Sequence, residues 1–361
     1  MKSSLAYQTL FDDVDTVPIF PSTRYQGSKL KFLDWIWNCV KDIPFTTCLD
    51  AFGGTGSVAY RFKQEGKAVT YNDILPFNYI IGKALIENSH QTLSNSEVES
   101  LLSHSTGISY PSFIADTFKD IYFTDEENKW LDIVSTNIRG MKDPYKQAIA
   151  YFALFQSCII KRPYNLFHRK NLYVRTQDVQ RSFGNKVTWD TPFEIHFKKF
   201  VEEANNAVFD NGSFCKASNL DALHISSKYD LVYIDTPYLN NKGVGVDYAD
   251  FYHFLNGIVN YTEWKDMIDY KSKHLRLKRR ENDWNDKIKI LDAFKKLFAT
   301  YKHSVLVISY RSNGIPTIDE LCHILQEQGR STSVKTSNEM KYALSNSANR
   351  EVLIISMPKE Y

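Results

Sequence analysis

The run Asp50-Ala51-Phe52-Gly53-Gly54-Thr55-Gly56 constrains this chain most. It joins an apolar strand pattern, Thr46 to Phe52, to a helical one, Ser57 to Gln64, through a glycine turn. Glycines at such a corner let backbone approach a ligand closely, and the helix N-terminus behind them offers free amides. A stop at Gly66 and a second strand pattern, Ala68 to Tyr71, follow, and that strand closes on Asn72-Asp73. Strand, glycine turn, helix and strand form half of a doubly wound sheet, in which a carboxylate at the second strand tip can accept both ribose hydroxyls of an adenosine-containing ligand. Read alone, the glycines fit a tight structural corner equally well; Asp73 is what adds the ligand.

Strand patterns resume at Tyr229 to Asp235, Ser304 to Tyr310 and Val352 to Met357, which predicts an α/β fold with a mostly parallel, doubly wound sheet. Lys29 to Val40 reads as an amphipathic helix, after an irregular arm with Pro18 and Pro21. Residues 83–205 change to helices and polar, aromatic and basic loops, so they read as an inserted domain; 239–300 reads as a smaller helical insertion. The sheet domain is then 1–82 plus 206–361. The nearly apolar stretch Ala148 to Ile160 is too short to span a bilayer and predicts a buried helix. The N-terminus lacks the apolar run of a signal peptide, and the five cysteines are scattered without metal-ligand spacing. Those features fit a reducing cytoplasm and no structural metal.

Asp235-Thr236-Pro237-Tyr238 follows the strand Leu231-Val232-Tyr233-Ile234, and strand ends of such a sheet face its ligand crevice. A net charge of only +2 means that any polyanion must be met by local stripes. One stripe holds Lys161, Arg162, Arg169, Lys170, Arg175 and Arg181, interleaved with Tyr164 and Tyr173; another holds Lys271, Lys273, Lys278, Arg279 and Arg280. A solvated charged face is the ordinary alternative for each. Such spacing also suits phosphate contacts alternating with stacking groups.

Taken in order, these segments resemble the Dam-like, alpha-class (D12) adenine DNA methyltransferases. Asp-Thr-Pro-Tyr is similar to their Asp-Pro-Pro-Tyr catalytic motif, Asp50 to Gly56 to their S-adenosyl-L-methionine (AdoMet) motif, and Tyr25-Gln26-Gly27-Ser28-Lys29 to their N-terminal Trp-Ala-Gly-Gly-Lys segment. Ser309 to Gly314 and Lys341-Tyr342-Ala343-Leu344 resemble later segments of the class. The resemblance implies a Rossmann-like AdoMet-dependent fold with 83–205 as a helical target-recognition insertion. It implies cofactor contacts at Tyr25, Lys29, Asp50, Phe52, Gly53, Gly54, Gly56, Asp73 and Asp235, with Asp221, or Asn219 in the other register, for the cofactor's adenine. It also implies double-stranded DNA as substrate and a companion restriction endonuclease.

The implied chemistry suits the residues. An exocyclic amine is a poor nucleophile because its lone pair is delocalised into the ring, and two acceptors, the Asp235 carboxylate and the Thr236 carbonyl, would draw its hydrogens and free that pair. Tyr238 would stack on a base taken out of the duplex. Two departures stand out: Tyr25 replaces the usual tryptophan, and Thr236 replaces the first proline, so its fixed φ is lost. The same tetrapeptide would polarise the cytosine 4-amino group, which keeps N4-cytosine methylation as the alternative. Thr236 keeps a non-catalytic, AdoMet-dependent DNA-binding protein as another.

Overall fold

The computed structural model describes residues 18–177, 186–225, 228–237, 239, 243, 245–337 and 350–359. After a 3-10 turn at Leu30–Phe32, α1 (Leu33–Val40), β1 (Thr47–Asp50), α2 (Ser57–Gln64), β2 (Ala68–Asn72) and α3 (Pro76–Gly82) follow one another. The remaining strands are β3 (Lys216–Ser218), β4 (Leu231–Ile234), β5 (Val305–Arg311), β6 (Ser331–Thr336) and β7 (Glu351–Met357). They form one seven-stranded sheet in the order β3-β2-β1-β4-β5-β7-β6, and β7 alone runs against the rest. The predicted mostly parallel α/β fold is therefore the observed one. From β1 the chain steps outward to β2 and β3, then returns across β1 to β4, so the topological switch lies between β1 and β4. A ligand crevice forms at such a point.

Two strands carried no sequence signal. β3 has three residues, and β6 is an edge strand, Ser-Thr-Ser-Val-Lys-Thr, whose side chains are mostly exposed. A polar edge with a lysine blunts pairing with other chains, and it also erases the apolar pattern by which strands are recognised.

Helices after α3 include α4 (Asp125–Arg139), α5 (Pro144–Ile160), α6 (Phe193–Ala207), α7 (His253–Val259), α8 (Ile290–Thr300) and α9 (Ile318–Glu327). Strand residues alternate between two apolar clusters, as a period of two requires. Leu231, Tyr233, Val305 and Val307 face a cluster with Phe62, Phe77, Phe155, Phe200 and Phe254. Val232, Ile234, Leu306 and Ile308 face the other, built with Phe294 and Leu297 of α8 and Leu321 and Leu325 of α9. The first cluster runs without a break from α2 through α5 and α6 to α7, so the segment expected as an insertion shares its core with the sheet. Ala148 to Ile160 lies wholly buried within α5. None of the described helices is long and apolar enough to cross a membrane.

Candidate active site

The glycine turn is shaped around one ring. A Cβ on Gly53 would lie 2.1 Å from the Tyr71 ring, and one on Gly82 would lie 2.2 Å from its other side. Tyr71 is thus clamped between two backbones, and its hydroxyl donates to Gly54 O at 2.7 Å. Gly54 and Gly56 take φ of 51° and 79°, a region costly for residues with a Cβ, and Gly56 caps the N-terminus of α2. At the tip of β2, Asp73 accepts from Gly54 N (2.9 Å), Leu75 N (2.8 Å) and Asn78 Nδ2 (3.0 Å). A carboxylate has about four lone-pair sites, so these three donors leave Asp73 acceptor capacity open.

Across the switch point, Asp50 stands opposite Tyr233 in the β1–β4 register, and Ala51 N donates to Tyr233 O at 3.0 Å. That pairing sets Asp235 beside the glycine turn. Lys29 Nζ lies 3.2 Å from Asp235 Oδ1 and 2.7 Å from Glu351 Oε1. Ser309 Oγ donates to the same Glu351 oxygen at 2.6 Å. Thr236 is buried, and Pro237 joins Asp235 and Thr236 in lining the cavity.

Tyr25 is the middle ring of a stack, 4.5 Å from Tyr252 and 5.6 Å from Tyr248, both nearly parallel to it. Tyr252 also accepts from Gln26 N, so the Tyr25 ring is held firmly with both faces covered. Asn219 donates to Asp73 O at 2.7 Å and braces the β2 tip, whereas Asp221 lines the cavity and accepts from Leu223 N. Phe52 packs edge-on against Trp284.

These groups surround one cavity of about 810 Å³, which holds Tyr25, Lys29, the glycine turn, Asp73 and Asp235 together. Its size and mixed lining suit a nucleoside cofactor with a second small ring. Among the acids that line it, Asp50, Asp73 and Asp235 sit beside the glycine turn. Burial pushes Asp50 well above the usual carboxylate range, and the nearby Asp235 and Asp73 push it further. Burial also raises Asp73 and Asp235 to about 6, Lys29 opposing the shift at Asp235. Asp50 Oδ1 is buried without a hydrogen-bond partner. An unfilled acceptor inside a ring of acids calls for a cationic ligand with donors, a description that AdoMet meets through its sulfonium and amino groups.

The family model of the D12 class N6 adenine-specific DNA methyltransferases matches residues 25–300, which reach from the Tyr25 stack through the glycine turn and Asp235 to the end of α8. The chain belongs to that family. Two relatives run along nearly all of it. The Type II methyltransferase M2.HphI of Haemophilus parahaemolyticus is 29% identical over 325 residues, 88% of this chain and 91% of that protein. The Type II methyltransferase M.NlaIII of Neisseria lactamica is 23% identical over 323 residues, 87% and 90%. The modification methylase StsI of Streptococcus sanguinis is 27% identical over 333 residues, and there the match covers 46% of the relative. Membership decides between the amines left open above: the enzyme methylates adenine N6 in DNA, with AdoMet as donor.

Several of the methyltransferase's expected DNA contacts need correction. Lys161, Arg162 and Arg175 are not surface cations; each is at most 5% exposed. Lys161 donates to the carbonyls of Trp189 and Thr191 and pairs with Glu127 at 2.9 Å. Arg162 donates to the carbonyls of Tyr122, Leu166 and Arg169 and to Asn171. Arg175 forks onto Glu127 at 2.7 and 2.9 Å. Irregular loops leave carbonyls that only side-chain donors can satisfy, and these cations do so. Arg169 and Lys170 are exposed, and Arg279 and Arg280 are exposed at the cavity rim. Arg181, Tyr238 and Lys341 to Leu344 lie outside the described residues. His253, after the catalytic tetrapeptide, is buried against Tyr122 and Phe167 O. Sequence reasoning missed Asn78 and Glu351. Asn78 stands five residues after Asp73, in the first turn of α3, and that nearness in sequence was its signal; Glu351, at the far end of the chain, left no local signal.

Proposed function

We propose that this methyltransferase modifies one adenine within a specific double-stranded DNA sequence, extruded from the duplex, and that it works beside a restriction endonuclease of matching specificity. The supporting observation is that Asp235 ends β4 inside the same cavity as the glycine turn and the Tyr25 stack. Bound AdoMet supplies an electrophilic methyl group. Asp50, Asp73, Phe52, Gly53, Gly54, Gly56, Tyr25 and Asp221 would hold it, Asp50 Oδ1 and the remaining capacity of Asp73 accepting its donors. Asp235 and the Thr236 carbonyl each accept one hydrogen of the adenine amine and draw its lone pair out of the ring, and the surplus proton leaves to solvent. The exposed cations Arg169, Lys170, Arg279 and Arg280 meet backbone phosphates. The Type II names of the relatives support the endonuclease partnership.

Incubation with labelled AdoMet and plasmid DNA, followed by sequencing for modified bases, should place 6-methyladenine at one recurring sequence. Asp235→Ala should lower transfer on the order of 10²–10³-fold or more, the scale of one lost transition-state group, with DNA binding retained. Wild-type turnover in that variant would refute the role given to Asp235.

A further inference from the structure

Three adjacent strands present Asp235, Ser309 and Glu351 at one end of the sheet. Register pairs Ile234 with Ile308 and Arg311 with Glu351, so Ser309 falls between the two carboxylates. Glu351 is fully buried in its side chain, and burying a carboxylate is costly unless it is paired and hydrogen-bonded. Here it holds Lys29 more closely, at 2.7 Å, than Asp235 does at 3.2 Å. Lys29 is itself 6% exposed and reaches this point from the N-terminal segment. One buried ammonium is therefore shared between two carboxylates, only one of which faces the cavity.

We propose that Glu351 is a positioning residue for methyl transfer: it draws the Lys29 ammonium toward β7 and so leaves Asp235 a stronger acceptor for the adenine amine than a simple lysine–aspartate pair would allow. The inference rests on Asp235 being the carboxylate that meets the amine. Charge counting gives its direction. Lys29, Asp235 and Glu351 together carry −1, which favours positive charge passing from sulfonium to amine nitrogen; without Glu351 the pair is neutral and the ammonium closes on Asp235. Among the described residues, the charged or titratable groups around Asp235 include Lys29 from the N-terminal segment, Asp50 from β1, Tyr233 from β4 and Glu351 from β7. Of these, Lys29 lowers the Asp235 pKa and Glu351 raises it. Removing Glu351 therefore lowers it twice over, through the lost repulsion and through the tighter ion pair. A less basic acceptor takes a smaller share of the developing charge.

Single-turnover methyl transfer measured against pH tests this. In the wild type the rate should fall as pH drops through about 6, where Asp235 becomes protonated. Glu351→Gln keeps the shape and removes the charge. It should lower the maximal single-turnover rate by about tenfold, the equivalent of one pKa unit, and move the acidic limb to lower pH, while AdoMet and DNA affinities stay within about twofold of the wild type. Glu351→Asp restores the charge one methylene further back and should recover part of both effects. If Glu351→Gln does not fold, Glu351→Asp alone should show the smaller shift in the same direction. An unmoved acidic limb in the variant that folds overturns the inference, whether the rate is unchanged or reduced, because a purely structural glutamate would leave the limb in place. Asp235→Ala separates the two claims: if it is inactive while Glu351→Gln matches the wild type, only the role of Glu351 falls.

Discussion

At the end of the sheet, Asp50, Asp73 and Asp235 direct their carboxylates into one cavity and leave acceptor capacity open; at 161–175, Lys161, Arg162 and Arg175 turn inward and donate to carbonyls and Glu127. Both regions bury like charges together, and they differ in what balances them. Burial raises the pKa values of the acids, and their hydrogen bonds and Lys29 offset it only in part, so a cationic ligand is favoured. The basic group has internal partners for most of its donors, Arg175 Nε being an exception. Burial pushes the Glu127 carboxyl up, but Arg175 and Lys161 outweigh that and hold it below its ordinary value. Charge left unbalanced marks a working site, whereas balanced buried charge marks a scaffold.

The sharpest way to break that contrast is Arg162→Ala. The guanidinium stacks over Tyr122 and satisfies three carbonyls and Asn171, all inside the protein. Its loss should cost about 3–5 kcal/mol of unfolding free energy, the range for removing one partner from a buried polar network. Denaturant unfolding would read this. A variant as stable as the wild type but poor in DNA binding would return Arg162 to the DNA surface and remove the contrast.

Gly53→Ala sharpens the other side, with a smaller effect. The new Cβ meets the Tyr71 ring, which cannot retreat because Gly82 backs it and its hydroxyl is tied to Gly54 O. Overpacking of this kind costs about 1–3 kcal/mol. The strain falls on the turn that faces the cavity, so AdoMet affinity should drop along with stability. Calorimetric titration of the folded variant checks the point. Unchanged affinity would mean that the turn shapes the fold without touching the cofactor.

The legible and illegible parts of the site divide along the same line. Asp50, Asp73 and Asp235 could be read from sequence because parallel strands end on one edge, so a carboxylate just past an apolar run has few places to point. The insertion offers no such rule. A lysine or arginine in an irregular segment serves solvent, phosphate or a stranded carbonyl equally well, and Lys161, Arg162 and Arg175 serve carbonyls. Glu351 was hidden for another reason: its partners Lys29 and Ser309 meet it only after β7 inserts antiparallel beside β5. The polar edge strand β6 and the short β3 lacked the alternation that betrays a strand.

The smallest expected effect is also the one that ties the two kinds of cation together. Arg169 and Lys170 are exposed, and the Arg169 carbonyl accepts from buried Arg162, so the scaffold cation holds the loop that carries the surface ones. Replacing both Arg169 and Lys170 by alanine should leave stability within about 0.5 kcal/mol, as for most surface changes. DNA affinity should fall nearly equally for all sequences, and the slope of log affinity against log salt should shrink by about 1 for each phosphate that is no longer neutralised. Binding titrations at several salt concentrations measure this. A loss confined to one DNA sequence would instead make these residues base readers, and an unchanged slope would leave the phosphates to Arg279 and Arg280 at the cavity rim.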